Sequence, residues 1–304
     1  MSRFSAEWLA LREPVDETSR AQSLTQKLVD NLPPQEPLDI VDVGTGTGAN
    51  ARYLMDRLPG SQRWLLVDND EELLEQVPGQ MTAWAKAREY EVHASNDGIS
   101  IRGPKGTRLL ETRKMSLNIL EASMFAGRML VTTSALLDLV SNDWLRTFVP
   151  RCREANAAVL FALSYDGRIR CEPMETEDFT IRDLVNRHQR SDKGFGAALG
   201  PEAVRITEDY LTRLGYRVRR EASDWRISPT MGHLQREIIA GWAEAALAAA
   251  PTQAAMIDGW KARRLEHVEQ GRSRLIIGHL DLAGWLPKPQ EAAKDDPGSA
   301  AKPR

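Results

Sequence analysis

The chain has 304 residues, 42% hydrophobic and 27% charged, a composition typical of a soluble globular protein with one large α/β domain or two small domains. Its net charge of −3 argues against nucleic acid and acidic membrane surfaces as partners, and its two cysteines are too few for a disulfide scaffold and lack metal-site spacing. Because the first residues include acids, and no apolar run approaches the ~18 residues of a membrane span, we expect no signal peptide, no membrane association and a cytoplasmic location.

Hydrophobic periodicity predicts a helical extension at the start of the chain, followed by alternating strands and helices. Residues 4–31 show helical spacing that is interrupted at Pro14, and we expect this N-terminal extension to occupy residues 1–37. The elements expected next are a strand at 38–43, helices at 49–58, 71–76 and 80–88, and strands at 64–67, 107–115 and 129–133.

The second half of the chain continues this alternation. Its expected elements are a helix at 142–154, a strand at 157–163, a helix at 202–214, a strand at 216–221, a helical stretch from 234 to 270 and a last strand at 274–278. Strands that alternate with helices predict an α/β fold with a doubly wound, mainly parallel, seven-stranded sheet over residues 38–286. Within it we expect a helical insertion at 231–271, and after it a disordered tail at 287–304, which has no core-forming residues.

The stretch Leu38–Leu54, LDIVDVGTGTGANARYL, joins a buried strand to a helix through three glycines at alternate positions. This geometry places backbone N–H groups around a nucleotide-like ligand, and GTGTGA also matches the dinucleotide fingerprint. Asp68 ends the next strand, 24 residues after Gly44, where a carboxylate can accept hydrogen bonds from both ribose hydroxyls. NAD enzymes have an acid at the same point, and an acid there also serves as a helix cap, so the residues leave these alternatives open.

The run IVDVGTGTG, with Asp42 two residues before the first glycine, resembles motif I of the class I S-adenosylmethionine-dependent methyltransferases. Residues 129–140, MLVTTSALLDLV, look like the family's motif IV strand and turn, which face the transferred methyl group. Residues 114–118, KMSLN, occupy the segment that usually contacts adenine, with Ser116 where the family often has an acid. The resemblance implies a Rossmann-like methyltransferase fold, a reversed seventh strand at Arg274–Gly278 and S-adenosyl-L-methionine as the cofactor.

The resemblance also implies a set of cofactor-binding residues. They are Asp42, Gly44, Thr45, Gly46, Gly48, Asp68, Asn69, Ser116, Leu117 and Thr133. Asp42 would hold the cationic end of the cofactor directly or through water. On the N-terminal extension, Arg20 is our candidate partner for the cofactor carboxylate, because a guanidinium pairs well with a carboxylate. The alternative is that Arg12 and Arg20 are solvated arginines on an amphipathic helix.

The acceptor is expected beyond the carboxyl ends of the strands, in the turn after residue 133 and in the polar segment 164–200. The candidate general bases are His188, Tyr165 and Asp166. The candidate substrate-binding residues are Ser134, Arg168, Arg187 and Lys193. Three glycines near the end of the segment indicate a lid, whereas the alternative for the cluster RHQRSDK is a solvated helix end with cations near its C-terminus.

These patterns predict a methyltransferase that transfers a methyl group by in-line displacement to a small polar molecule. Anionic molecules are included among the candidate acceptors. The Asn-Pro-Pro-Tyr motif of enzymes that methylate nucleobase or glutamine amino groups is replaced by Ser-Ala-Leu-Leu at 134–137, which argues against those acceptors. One alternative is an NAD(P)-dependent oxidoreductase, although the Tyr-x-x-x-Lys arrangement of short-chain reductases is missing. Another is a non-catalytic protein of the same fold that binds S-adenosylmethionine.

Overall fold

A mixed sheet forms the centre of the molecule in the computed structural model, which describes residues 5–32, 37–95 and 98–287. The strands in these residues are β1 (Leu38–Val43), β2 (Gln62–Asp68), β3 (Glu91–Ser95), β4 (Gly98–Gly103), β5 (Gly106–Lys114), β6 (Leu130–Ser134), β7 (Ala158–Glu172), β8 (Arg217–Ala222), β9 (Trp225–Ile227) and β10 (Arg274–Trp285). The helices are α1 (Ala6–Ser19), α2 (Gln22–Asn31), α3 (Ala49–Met55), α4 (Glu71–Leu74), α5 (Val77–Lys86), α6 (Ala122–Phe125), α7 (Asn142–Glu154), α8 (Asp178–Gln189), α9 (Ala203–Arg213), α10 (Gly232–Ala249) and α11 (Ala254–Glu269). The predicted tail lies, apart from Pro287, outside the described residues.

The strand order confirms a doubly wound, mainly parallel sheet. It is β3-β4-β5-β2-β1-β6-β7-β10-β8, with β9 paired to β10 outside this path. Strands β5, β2, β1, β6 and β7 are parallel, and β10 runs antiparallel between β7 and β8, as the reversed last strand was expected to do. The described sheet has ten strands, so the prediction of seven was wrong. The additional strands are β3, β4 and β9. Most residues of β3 are exposed and β9 is only three residues long, so neither strand shows a clear hydrophobic pattern in the sequence.

Apolar side chains cover both faces of this sheet, as a doubly wound fold requires. Helices α2, α3 and α5 pack on one face, and α6, α7 and α9 pack on the other. A third cluster joins α8, α10 and α11 to the later part of β7 and the first part of β10. The pair α10–α11 occupies the range in which a helical insertion was expected. Among the described residues, no helix is both long and apolar enough to cross a lipid bilayer.

Strand β7 continues beyond its predicted end and changes the expected acceptor segment. It runs to Glu172 because β10 pairs with it antiparallel as far as the contact between Arg274 and Glu172. Helix α8 follows soon after, so much of the segment 164–200 is regular structure rather than the loop-rich lid that the sequence indicated. The partner strand comes about one hundred residues later in the chain, which local patterns do not reveal.

Helix α1 is also longer than predicted, because it continues through Pro14. A proline inside a helix removes one backbone hydrogen bond and strains the preceding turn. Contacts on both sides of the proline hold the helix in place: Glu13 pairs with Arg52, and Asp16 accepts a hydrogen bond from the indole of Trp225. The helix ends instead at Arg20, where the backbone becomes extended.

Candidate functional site

The glycine turn between β1 and α3 folds back over the end of β2. The N–H groups of Gly44 and Thr45 both donate to the carbonyl oxygen of Val67, at 2.9 and 3.0 Å. Gly48 has φ +84°, and a Cβ atom there would lie 2.7 Å from the terminal methyl of Met81. A left-handed backbone and close packing therefore favour glycine at this position.

Asp42 lies beneath the turn and organises it from below. Its buried carboxylate accepts hydrogen bonds from Thr45 Oγ1 at 2.7 Å and from Asn50 Nδ2 at 2.8 Å. Burial raises the pKa of Asp42 to about 6, against the stabilising effect of these two donors. Thr45 and Asn50 line the cavity above the turn, whereas Asp42 does not line it.

Arg20 belongs to a buried network that ties the N-terminal extension to this turn. Its Nη1 donates to Asn50 Oδ1 at 2.7 Å, and its Nε donates to Asp281 at 3.3 Å. The guanidinium also stacks over Tyr53, with 4.3 Å to the ring centroid. Thus Arg20 is not a solvated arginine. Its Nη2 is buried without a hydrogen-bond partner among the described residues, beside a narrow cavity that Ser134 also lines.

A cavity opens directly above the glycine turn, and we call it the loop cavity. Its lining includes residues 44–47, Ala49, Asn50, residues 68–70, Leu73, Leu117, residues 134–136, Leu139, Lys193 and Phe195. Asp68 stands at its edge, where its Oδ2 accepts from Gly46 N at 2.7 Å and its Oδ1 accepts from Asp70 N at 3.0 Å. Burial raises the pKa of Asp68. The side-chain cap of α4 is Asp70, which accepts from Glu72 N, so the cap alternative does not describe the side chain of Asp68.

Helix α1 covers the loop cavity, a role that the sequence did not reveal. Leu9, Arg12 and Asp16, which share one face of the helix, all line the cavity. A Cβ atom at Gly46 would lie 3.1 Å from Leu9 Cδ1, so the helix comes close to the turn. The ion pair of Glu13 with Arg52, at 2.6 Å, fixes α1 to α3. The extension is therefore part of the site, and Arg12 rather than Arg20 faces this cavity.

The other predicted cofactor residues divide between the cavity and its surroundings. Leu117 and Asn69 line the loop cavity, whereas Ser116 is exposed outside it. Thr133 is buried and does not line it, because side chains alternate along β6 and its neighbour Ser134 takes the cavity side. Ser116 and Thr133, which were expected to bind the cofactor, therefore lie outside the loop cavity.

A second cavity adjoins the first, and we call it the polar-aromatic cavity. It brings together Trp8, Asp138, Tyr165, His188, Trp225, Trp242 and His279, with Glu237 and Glu244 from α10. It shares the wall formed by Arg12, Ala135, Leu139 and Lys193 with the loop cavity. Ala135 has a positive φ of 52°, a strained backbone conformation of the kind found at functional sites.

The predicted general bases Tyr165 and His188 lie in this second cavity, together with Lys193. Tyr165 donates to Asn186 Oδ1 at 2.7 Å, and burial raises its pKa. His188 Nδ1 lies 3.3 Å from Lys193 Nζ. Burial, and then the charge of Lys193, lower the pKa of His188, so its imidazole is neutral at physiological pH.

Three predicted acceptor residues lie outside both cavities. Asp166 follows Tyr165 on β7 and therefore points to the opposite face, where it accepts from Arg168 Nε at 2.7 Å. Arg168 also donates to Asp224 at 2.7 Å, which completes a surface ion-pair cluster. Arg187 donates to the carbonyl oxygen of Ala249 at the end of α10. Each of these three side chains therefore has a hydrogen-bond partner within the protein.

Two buried titratable groups of the polar-aromatic cavity were not predicted from the sequence. Asp138 lies in the turn after β6, and burial raises its pKa to about 6. His279 lies on β10, and burial lowers its pKa to about 3. The position of Asp138 after the fourth predicted strand could have indicated a site residue. Its apolar neighbours in the sequence LLDL, however, are typical of a segment buried in the hydrophobic core. Among the described residues, no group of three or more His, Cys, Asp or Glu side chains is arranged to hold a metal ion.

The Asp42→Asn substitution is expected to remove part of the pH dependence of stability. The folded chain holds the Asp42 proton up to about pH 6, whereas the ordinary pKa is 3.8, so the folded state binds more protons between these values. The free energy of unfolding therefore falls by ~3 kcal/mol as the pH rises through this window. Urea denaturation between about pH 4 and about pH 7 should show this contribution in the wild type and lack it in the variant.

The matched control for this measurement is Asp39→Asn. Asp39 lies on the same strand, where it pairs with the half-exposed Arg63 at 2.6 Å. That control should keep the wild-type slope. Parallel curves for the wild type and Asp42→Asn would contradict the raised pKa of Asp42.

Comparison with known proteins finds no matching family model and no matching curated protein. Similar solved structures include a cyclopropane synthase from Mycobacterium tuberculosis, with a TM-score of 0.47 and 11% identity over 92% of this chain and 94% of that chain. They also include the YcgJ protein from Bacillus subtilis, with a TM-score of 0.46 and 10% identity over 88% and 99% of the two chains. A third is phosphoethanolamine N-methyltransferase 2 from Haemonchus contortus in complex with S-adenosyl-L-methionine, with a TM-score of 0.43 and 14% identity over 94% and 58%. At these identities and TM-scores, no activity, ligand or substrate passes from those proteins to this chain.

Proposed function

We propose that the protein is an S-adenosylmethionine-dependent methyltransferase that acts on a small polar molecule. The observation that carries this proposal is the position of Asp68 at the edge of the loop cavity, where it accepts a hydrogen bond from the glycine turn. The loop cavity in turn adjoins the polar-aromatic cavity. A donor molecule in the first cavity and an acceptor in the second would meet at the shared wall of Arg12, Ala135, Leu139 and Lys193.

The residues present fit the proposed cofactor. The Asp68 carboxylate accepts backbone hydrogen bonds from Asp70, Gly46 and Asn69, and an ionised carboxylate with about four lone-pair positions retains acceptor capacity for a ribose hydroxyl. Leu73 and Leu117 provide apolar surface for the adenine ring of the cofactor. Arg12, which also pairs with Asp16, brings a guanidinium to the loop cavity that suits a carboxylate. Arg20 lies beside the neighbouring narrow cavity, where its Nη2 has no hydrogen-bond partner among the described residues.

The chain's contribution to the reaction is mainly alignment and exclusion of water. When bound, S-adenosylmethionine supplies an electrophilic methyl group on a sulfonium, so the acceptor needs only an in-line approach. Helix α1 covers both cavities through Trp8 and Arg12, and thereby shields the reacting atoms. Lys193, which has no carboxylate within ion-pair distance among the described residues, offers a charge to an anionic group of the acceptor.

The strand order argues against the oxidoreductase alternative. The dinucleotide-binding fold has the order 3-2-1-4-5-6 with parallel strands. Here the reversed strand β10 lies between β7 and β8. The second cavity, with Tyr165, His188 and Lys193, favours an enzyme over a non-catalytic binding protein. Both observations favour an enzyme that uses S-adenosylmethionine as its cofactor. We propose that this enzyme is cytoplasmic.

The test is binding followed by transfer. Isothermal titration calorimetry should detect binding of S-adenosylmethionine and of its demethylated product, whereas NADH should show no fluorescence enhancement. Incubation with methyl-labelled S-adenosylmethionine and a fractionated cell extract should then label a low-molecular-weight fraction. The proposal fails if neither S-adenosylmethionine nor its product binds. Binding without any labelled product would favour the non-catalytic alternative.

A further inference from the structure

We propose that Asp138 is the general base of the reaction, and that the acceptor is therefore an amine or alcohol with an exchangeable hydrogen on the methylated atom. This inference rests on the proposed methyl transfer. It narrows the acceptor from any small polar molecule to those with an N–H or O–H group at the reacting atom. Tertiary amines, thioethers and alkenes are thereby excluded.

The carboxylate of Asp138 has one oxygen that the protein leaves free. The side chain is 6% exposed and lines the polar-aromatic cavity, and its Oδ1 is buried without a hydrogen-bond partner among the described residues. The backbone N–H groups of Asp138 itself and of Tyr165 donate to the carboxylate and stabilise its charge. A buried carboxylate oxygen without a donor costs free energy, which a ligand N–H or O–H group would relieve.

The turn that carries Asp138 is held rigidly. Its carbonyl oxygen accepts from Gly200 N at 3.0 Å, and Leu199 N donates to the carbonyl oxygen of Val140 at 2.8 Å. Ser141 and Ala198 form an isolated bridge at the end of the same turn. These bonds anchor the turn after β6 to the segment before α9, so the carboxylate is positioned before a ligand arrives.

The groups around Asp138 support a base rather than a permanently paired anion. Arg12 from α1 and Lys193 from the segment after α8 attract its charge, and Arg12 is already paired with Asp16 at 2.8 Å. Tyr165 faces it from β7, and the neutral His188 and His279 line the same cavity. Burial outweighs these charges and raises the pKa of Asp138 to about 6, close to the operating range of an effective base.

The two histidines of the cavity are weaker candidates. His188 shares its Nδ1 with Lys193 Nζ at 3.3 Å. His279 is buried, its Nδ1 lies 3.1 Å from the carbonyl oxygen of Ile277, and its pKa is lowered to about 3. A base with so low a pKa holds a proton poorly, so Asp138 is the better proton acceptor near neutral pH.

The proposed step balances without another reactant. The lone pair of the acceptor atom would form a bond to the methyl carbon while the bond between that carbon and sulfur breaks. The electron pair of the broken bond would stay on sulfur, so the sulfonium would become a neutral thioether. The hydrogen of the acceptor atom passes as a proton to Asp138 Oδ1, and from there to water. The aromatic walls formed by Trp8, Trp225 and Trp242 would bury the apolar part of the acceptor.

The test compares the wild type with Asp138→Asn in the labelling reaction with fractionated extract, from about pH 5 to about pH 9. The wild-type rate should rise with pH with a midpoint near 6, the pKa of Asp138. The variant should be slower by ~100-fold or more near neutral pH and should lack this rise. Asp138→Glu, which keeps a carboxylate, should recover part of the rate. Mass spectrometry of the labelled product in D₂O should show one exchangeable hydrogen fewer than in its precursor.

Controls separate this inference from the proposed function. Calorimetry with S-adenosylmethionine should give wild-type affinity for Asp138→Asn, which shows that the variant folds. Asp143→Asn, at a position on α7 whose side chain is 89% exposed, should keep the wild-type rate. An unchanged rate and pH profile in Asp138→Asn, or a product that retains all exchangeable hydrogens, would overturn the role of Asp138 alone. A wild type that binds no cofactor or transfers no label would overturn both proposals.

Discussion

Replacing Asp68 with alanine is expected to weaken binding of S-adenosylmethionine by ~100-fold or more. The carboxylate is 6% exposed, lies at the edge of the loop cavity and already accepts hydrogen bonds from Gly46 N and Asp70 N. Two ribose hydroxyls that donate to a carboxylate contribute ~1.5–3 kcal/mol each, which together correspond to two to four orders of magnitude in affinity. Isothermal titration calorimetry of the purified variant measures this loss.

Two further variants separate ligand contact from loop stability. Glu71→Ala changes an acid three residues away that pairs with Lys114 on the surface, where its side chain is 62% exposed, and should bind the cofactor as the wild type does. Asp68→Asn keeps one acceptor oxygen and should lose less affinity than Asp68→Ala. Unaltered affinity in Asp68→Ala would contradict the assignment of the loop cavity to a ribose-bearing cofactor.

The Asp281→Ala substitution is expected to lower the free energy of unfolding by about 4 kcal/mol or more. Asp281 is fully buried, and it accepts from Arg20 Nε at 3.3 Å, Ala21 N at 3.0 Å and Leu163 N at 2.8 Å. Its removal leaves a buried guanidinium and two backbone donors without their acceptor. The midpoint of urea denaturation, followed by tryptophan fluorescence, measures the loss.

The double variant Arg20→Met/Asp281→Leu is the informative control for this network. It removes both charges together, and so should be less destabilised than Asp281→Ala, because no unpaired charge is buried. A loss below ~1 kcal/mol in Asp281→Ala would show that the network contributes little to stability. Arg20 also donates a hydrogen bond to Asn50, which in turn donates to Asp42 beneath the glycine turn. Loss of this hydrogen-bond network in the variants should therefore also weaken cofactor binding.

The predictions confirmed by the structure rest on local patterns. The apolar run of β1 and the alternation of strands with helices predicted the parallel sheet, because strands buried on both faces are apolar throughout. The glycine turn after Val43 was recognisable because Gly44, Gly46 and Gly48 adopt positive φ angles that other residues avoid. Such features depend on neighbours in sequence.

The errors concern features that depend on distant parts of the chain. Strand β7 extends to Glu172 because β10 pairs with it, and α1 continues through Pro14 because α3 and β9 hold it on both sides. Asp166 was assigned to the acceptor site because the length of β7 could not be predicted from the sequence. The direction of each side chain along that strand was therefore unknown. Thr133 was misplaced for a similar reason, since alternation along β6 puts Ser134 in the cavity instead.

By itself, the sequence determined an α/β fold, a glycine turn after the first strand and an acid at the end of the second predicted strand. Only the tertiary structure decided that Arg20 joins Asp281, 261 residues away, and that α1 covers the site. It also decided which residues face the second cavity, and it left one oxygen of Asp138 free there. The physical reason is that backbone conformation follows from local sterics and hydrophobic periodicity, whereas burial, charge pairing and pKa depend on contacts that form only when distant segments pack together.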